Sequence, residues 1–238
     1  MPAAIHVENL NFSFGEGELK RQVLNAVNLT LLQGEIVILT GPSGSGKTTL
    51  LTLIGALRVA QEGSISIFGR ELVKAREAEL NAVRLHTGYI FQQHNLLAGL
   101  TAQQNVEMAL ELRPELSSAA RKNAARQILE QVGLGDRRNY KPAQLSGGQK
   151  QRVSIARALV AKPHMVLADE PTASLDKASG MEAVEILKTL AREQGSTILL
   201  VTHDYRILDI ADRVVELEDG QIRAHAFGAG QEQDTIAP

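Results

Sequence analysis

The chain has no cysteine and no tryptophan, and aromatic residues fill only 3% of its 238 positions. Without cysteine there is no disulfide and no thiolate metal site, which suits a reducing compartment. Lys and Arg number 25 against 27 Asp and Glu, a net charge of -2. The clustered basic excess of a nucleic-acid surface is missing, so no nucleic-acid partner is expected. Long hydrophobic runs are missing too: Leu50 to Leu57 falls well short of the ~20 apolar residues that cross a bilayer. Met1 to Glu8 carries neither the basic stretch nor the apolar stretch of a targeting segment. These absences describe a soluble chain that would leave any membrane work to a partner. It is long enough to bury a full core, as one large domain or two joined lobes.

What the chain does have is Gly41-Pro42-Ser43-Gly44-Ser45-Gly46-Lys47-Thr48-Thr49, the G-x-x-x-x-G-K-T spacing of a phosphate-cradling loop. Before it, Glu35 to Thr40 is a short apolar, β-branched run, as a buried strand would be. After it, Thr48 to Leu57 is rich in Leu, Ala and Ile, as a helix would be. The chemistry needs this order. Backbone N–H groups converge on phosphate oxygens only where Cβ atoms do not intrude, and the helix N-terminus adds a partial positive charge. Lys47 would add a full charge at the β- and γ-phosphates, and the Thr48 hydroxyl can ligate Mg²⁺.

Alternation over Ile5–Phe14 and Val23–Leu31, with Ser64–Phe68, predicts half-buried antiparallel strands. Phe12 and Phe14 share a face; either both rings are core, or one leaves the core to stack on adenine. Gly88–Phe91 reads as a strand ending at Gln92. From Thr101, a plausible N-cap, to Val132 the pattern is helical, interrupted at Pro114 and restarted at Ser117. Apolar strands follow at Met165–Ala168 and Thr197–Val201, with a helix over Ser179–Arg192 between them. Val214–Glu218, Asp219-Gly220 and Gln221–Arg223 give a hairpin signal, and the tail 226–238 is expected to be disordered. Apolar strands separated by helices imply a parallel sheet covered on both faces, whose ligands bind beyond the carboxyl ends of the strands.

Three of those strand ends carry a candidate group. The phosphate loop follows Thr40. Asp169 and Glu170 close the second strand, where a carboxylate is costly unless it holds a metal or a hydrogen bond. Asp169 is placed on Mg²⁺ beside Thr48, and Glu170 is the base that would polarise the attacking water. With Pro171 next, an ordinary acidic turn is the bland alternative. His203, after the third strand, could sense the γ-phosphate or be a satisfied strand-end histidine. The remaining histidines, His6, His86, His94, His164 and His225, show no metal-ligand spacing and read as surface or core. Leu145-Ser146-Gly147-Gly148-Gln149 before a helix is a second anion-binding pattern, or a plain helix cap. One nucleotide has one γ-phosphate, so a second such site must face another nucleotide or stand idle.

Taken together, Gly41 to Thr48, Gln92, Leu145 to Gln149, Met165 to Glu170, Ser174-Leu175-Asp176 and His203 resemble the ATP-binding cassette (ABC) ATPases over nearly the whole chain. The resemblance implies an α/β P-loop NTPase (RecA-like) core with a parallel sheet, an antiparallel β subdomain and a helical insertion at roughly 95–160, all within 1–225. It implies ATP and Mg²⁺ as ligands and a head-to-tail homodimer in which Ser146, Gly147, Gly148 and Gln149 of one chain cap ATP held by the other. Phe14 takes the adenine-stacking place, often a tyrosine in the family. Gln92 is the glutamine that reaches Mg²⁺ and links to the membrane partner, and Asp176 belongs to the loop that crosses between the two sites.

Leu167 to Thr172 and Gly55-Ala56-Leu57 look like the lipoprotein-release and macrolide-efflux (LolD/MacB-like) branch. Arg58 to Gly63 and Asp204 to Asp212 look closer to DevA-type exporter ATPases of cyanobacteria. Gln104 stands where relatives often have Glu, a departure without consequence for chemistry. The expected function is therefore ATP hydrolysis, on the cytoplasmic face of the inner membrane, powering an exporter permease on a separate chain, with a membrane-fusion protein in the full complex. A cell-division-type cassette that transmits force without transport would carry the same motifs, and only the partner chain separates the two. A translation or DNA-repair cassette fits less well, since the chain has neither a second cassette nor a long coiled-coil insertion.

Overall fold

A computed structural model describes residues 2–227. A four-stranded antiparallel sheet, in the order β2-β1-β4-β5, is built from β1 (Ala3–Phe14), β2 (Arg21–Leu32), β4 (Glu62–Ile67) and β5 (Arg70–Glu71). A six-stranded sheet runs β10-β9-β3-β8-β7-β6, with β3 (Ile36–Thr40), β6 (Thr87–Ile90), β7 (Met165–Asp169), β8 (Thr197–Val201), β9 (Arg213–Glu218) and β10 (Gln221–Phe227). Its strands are parallel except for the β9–β10 hairpin.

The apolar runs of the central strands are read twice, because side chains alternate between the faces of a strand. Ile36, Ile38, Val166, Ala168, Ile198 and Leu200 point into one core, with the helices α5 (Gly147–Leu159) and α6 (Lys177–Gln194). Val37, Leu39, Met165, Leu167, Leu199 and Val201 point into a second core, shared with the antiparallel sheet and α1 (Lys47–Ile54). The parallel sheet is thus sandwiched between helices and a β layer, and its carboxyl edge is held on both sides.

Between β6 and β7 stand α3 (Ala102–Glu107), α4 (Ser118–Gln131) and α5. The Thr101 hydroxyl accepts from the Gln104 N–H while the Gln104 side chain accepts from the Thr101 N–H, at 3.2 and 2.9 Å. Gln104 closes this capping box as a glutamate would. Ser117 caps α4 through the Ala120 N–H at 3.2 Å.

Three expectations need correction. The helix after the phosphate loop ends at Ile54 rather than Leu57, because Ala56, just past the Gly55 cap, turns left-handed at φ 57° and cannot continue it. A helix the sequence pattern did not suggest, α2 (Glu77–Leu85), packs Leu80 and Val83 beside β6 and turns the rest of its surface to solvent. Finally, β10 pairs with β9 as far as Phe227, two residues into the expected tail; 228–238 lie outside the described residues.

Candidate nucleotide site at the carboxyl edge of the sheet

The register of the parallel sheet sets the site. Leu39 of β3 and Asp169 of β7 both lie beside Val201 of β8, so the three loops that follow leave the sheet together. They meet in a cleft of about 530 Å³ lined by Ser43, Gly44, Gly46, Lys47, Thr48 and Thr49 of the phosphate loop. Glu170, His203 and Gln92 also line it, as does Phe14 from the antiparallel sheet.

The loop has the shape its glycines predict. Gly41, at φ 136°, backs onto the Leu217 carbonyl of β9, and a Cβ there would run into it. Gly44, at φ 82°, has nothing within 4 Å of where a Cβ would stand, so its face of the loop is free for a ligand. Lys47 is buried and curls over the loop, donating to the carbonyls of Gly41 and Pro42 at 2.7 and 2.9 Å. Gly41 and Pro42 therefore anchor the lysine rather than line the cleft. The Ser45 hydroxyl is buried with no protein partner on the Gly41 side of the loop and does not line the cleft.

At the far wall Thr48 Oγ1 donates to Asp169 Oδ1 at 3.2 Å. Burial pushes the Asp169 carboxyl up, and so does neighbouring Glu170, while the Thr48 bond and Lys47 pull it down. An acid held half-buried with its charge only partly answered suits a cation. Thr48, Asp169 and Gln92 are oxygen donors, as Mg²⁺ requires; bound there, the ion would neutralise charge on the β- and γ-phosphate oxygens.

Glu170 sits at φ 48°, a left-handed conformation that non-glycine residues adopt at a cost of about 1–2 kcal/mol. It is held there by its own N–H, which donates to the Val201 carbonyl at 2.9 Å. Its Oε1 lies 2.8 Å from His203 Nδ1, and Thr202 Oγ1 donates to its Oε2 at 3.4 Å. The strain points the carboxylate into the cleft, and the histidine orients it. Thr202 Oγ1 in turn accepts from the Asp204 N–H at 2.9 Å. Asp204 itself accepts from Arg206 at 2.7 and 2.6 Å, and those bonds draw its pKa down to about 2.

The two phenylalanines part company. Phe12 is 6% exposed and belongs to the core, whereas Phe14, at the strand's end, is 39% exposed beside the cleft. The Phe12 ring meets Phe14 edge-on at 5.0 Å, and the Arg58 guanidinium stands over the Phe14 ring at 4.9 Å. Gln61 pins the backbone between them, with both bonds to Ser13 at 2.9 and 3.0 Å. The Arg58–Gly63 run, legible only as a branch resemblance in the sequence, thus supports the aromatic platform.

The signature does not join this cleft. The Ser146 hydroxyl caps α5 by accepting from the Gln149 N–H at 3.3 Å, and Gln149 Oε1 accepts from the Ser146 N–H at 3.0 Å. Ser146 and Gly147 are exposed, and none of Ser146 to Gln149 lines the phosphate-loop cleft. Asp176 also stays outside, as the N-cap of α6, accepting from the Ser179 N–H at 3.0 Å. Its bonds at that helix N-terminus, the Ser179 N–H first, hold its carboxyl below the ordinary range.

A family model, the ABC transporter domain, matches residues 24–173, the span from β2 through the phosphate loop and signature to just beyond Glu170. The chain belongs to the ABC transporter ATPase family. The cassette is 46% identical over 221 residues, 92% of its length, to the macrolide export ATP-binding/permease protein MacB 1 of Aeromonas hydrophila. It spans only about a third (34%) of that relative. It is 41% identical to the ABC transporter ATP-binding protein YbbA of Escherichia coli, over 95% of this chain and 100% of the other. Among solved structures it matches the cassette MJ0796, described as dimeric, in a post-hydrolysis state bound to ADP and Pi. The TM-score is 0.87 at 38% identity, covering 95% of this chain and 100% of that one. The P-loop ATPase fold, the family and its lipoprotein-release and macrolide-efflux branch agree with what the motifs implied. Among the described residues no helix is long and apolar enough to cross a membrane.

Proposed function

We propose that this cassette binds ATP with Mg²⁺, closes on a second copy of itself, and drives an exporter permease on a separate chain at the cytoplasmic face of the inner membrane. One observation carries the reading: the signature, an exposed and glycine-rich helix N-terminus, stands outside its own chain's cleft. A second copy, head to tail, would bring Ser146 to Gln149 against the γ-phosphate and Asp176 across the interface. That the similar cassette MJ0796 is dimeric with ADP and Pi supports pairing of two copies.

In that closed site the loop N–H groups and the freed Lys47 ammonium hold the phosphates, and Phe14 stacks on the base. Glu170 takes the proton of the attacking water, and His203 holds Glu170 and the water in line. Thr48, Asp169 and Gln92 would hold the ion, whose charge eases build-up on the transferring phosphoryl oxygens.

The permease would dock in an apolar groove of about 550 Å³ between α2, the turn after α3 and the end of α5, where Leu85, Met108 and Leu112 are exposed near Arg84 and Arg157. Arg157 also donates to the carbonyls of His94 and Asn95 at 2.7 and 2.6 Å. A segment seated there would lie one residue away from the turn that carries Gln92. A membrane-fusion protein would meet the permease, not the cassette.

Two measurements test the proposal. Glu170→Gln with ATP should run as a dimer by light scattering, and a monomer at saturating ATP would refute head-to-tail closure. Affinity purification from detergent-solubilised membranes should recover a polytopic chain that Leu112→Asp releases; recovery of none would remove the transport half of the reading.

A further inference from the structure

The candidate site reaches outside its own cleft through a histidine whose sequence pattern distinguishes only surface from core. His94 is buried two residues beyond Gln92, on a turn where it and Asn95 both adopt left-handed conformations, at φ 61° and 48°. Its ring bridges two other elements. Nδ1 lies 2.6 Å from Oε1 of Gln151, which is fully buried on the signature helix α5, two residues past Gln149. Nε2 lies 3.4 Å from Oγ of Ser174, two residues before Asp176. Its carbonyl receives Arg157 and Ser154, both from α5, at 2.7 and 3.5 Å.

The proton assignment that satisfies both ring neighbours places hydrogen on Nδ1, donating to Gln151, and leaves Nε2 to accept from the Ser174 hydroxyl. The other end of that amide, Gln151 Nε2, is buried with no protein partner, so the bond to His94 is what orients the side chain. Three segments of the nucleotide machinery therefore share one imidazole: the Gln92 turn, the signature helix and the Asp176 loop. Each of these contacts is within one chain.

We propose that His94 is a positioning residue that makes these three segments move as one, so that nucleotide seen at Gln92 sets the signature helix and the Asp176 loop for the partner site. The step from positioning to catalysis rests on the head-to-tail reading above; the mechanical link does not. Among the described residues the His94 ring bonds Gln151 and Ser174 and does not line the cleft, so nucleotide binding by a single chain should not depend on it.

Hydrogen exchange of the nucleotide-free monomer separates the links. In His94→Leu, which cuts both, amide exchange should rise at least tenfold at 146–151 and at 174–178 and stay within twofold at 41–49. In His94→Asn, whose Nδ2 takes the place of Nδ1 and which tolerates the left-handed turn, exchange should rise at 174–178 alone. A uniform rise across the chain, or none in either variant, overturns the proposal. If His94→Leu does not fold, His94→Asn still decides: equal change at the two segments refutes separate links. For catalysis, His94→Leu should lower kcat at least tenfold with KM for Mg-ATP within twofold; a fall carried by KM overturns the coupling role. The ATP-driven dimer of Glu170→Gln, with His94 intact, is the control. Its failure would sink head-to-tail closure and, with it, the catalytic step, while the exchange pattern still judges the link within one chain.

Discussion

Replacing Glu170 by Gln removes one proton acceptor and almost nothing else. Both side chains have the same length, and the amide oxygen can still face His203 Nδ1, 2.8 Å from the present carboxylate oxygen. The new NH₂ can donate to Thr202 Oγ1, whose bond to Oε2 is long at 3.4 Å. The left-handed backbone at φ 48° is unfavourable by about 1–2 kcal/mol in both variants, so that strain cancels. Folding stability should then change by no more than about 0.5 kcal/mol. What is lost is general-base catalysis, worth ~10²–10⁴ in rate, which at 1.36 kcal/mol per tenfold raises the barrier by about 2.7–5.4 kcal/mol. Phosphate release at saturating Mg-ATP should fall by that factor, while KM and the melting temperature stay near the parental values. Turnover at the parental rate would show that another group takes the proton. A large loss of melting temperature would show that the bonds to His203 and Thr202 hold the fold rather than the water.

Three further outcomes are expected. Phe14→Ala should weaken nucleotide binding about two- to tenfold, the loss of about 0.5–1.5 kcal/mol of ring stacking, with little effect on melting because the ring is 39% exposed; equilibrium titration with a fluorescent ATP analogue checks it. Asp169 has a raised folded pKa, chiefly from burial. The stability tied to its protonated form is full below the ordinary carboxyl pKa of about 3.9 and is lost as pH rises through the folded value. Asp169→Asn should therefore raise the melting temperature of the nucleotide-free protein at pH 7 but not below about pH 4, while Mg²⁺-dependent hydrolysis disappears. Asp204 has the opposite sign. Its pKa of about 2, set first by Arg206, gives stability that is full above about pH 4 and lost as pH falls toward about 2. Asp204→Asn should flatten that acid limb in a pH series of thermal melts.

Much of the fold could be read locally. The apolar runs at Val37–Leu39, Met165–Ala168 and Ile198–Val201 are strands because residues buried on both faces need no alternation. Thr101, Ser117 and Ser146 announce helices because a hydroxyl at an N-cap satisfies an orphan N–H. α2 was not legible: its apolar face is only Leu80 and Val83, too narrow to stand out among Glu, Arg and Asn. Asn105 carries no sequence signal of its own, yet it is fully buried and binds Leu97, Leu100 and Thr101, shaping the loop after His94. A buried asparagine and an exposed one look alike in a sequence.

By itself the sequence determined the phosphate loop and its chemistry. Glycines, a lysine and a hydroxyl at fixed spacing leave the backbone few conformations and one kind of ligand. It also determined which strand ends carry Asp169, Glu170 and His203, because those residues follow their strands directly. Only the tertiary structure decided that Phe12 goes to the core while Phe14 stands at the cleft, since both lie on one face and differ only in what packs beyond the strand's end. Only it decided that Glu170 meets His203 through a strained backbone, and that His94 joins Gln151 to Ser174 across 57 and 80 residues of chain. Local pattern records what a residue does to its own backbone; the partners it meets from distant segments are set by the packing of the two cores.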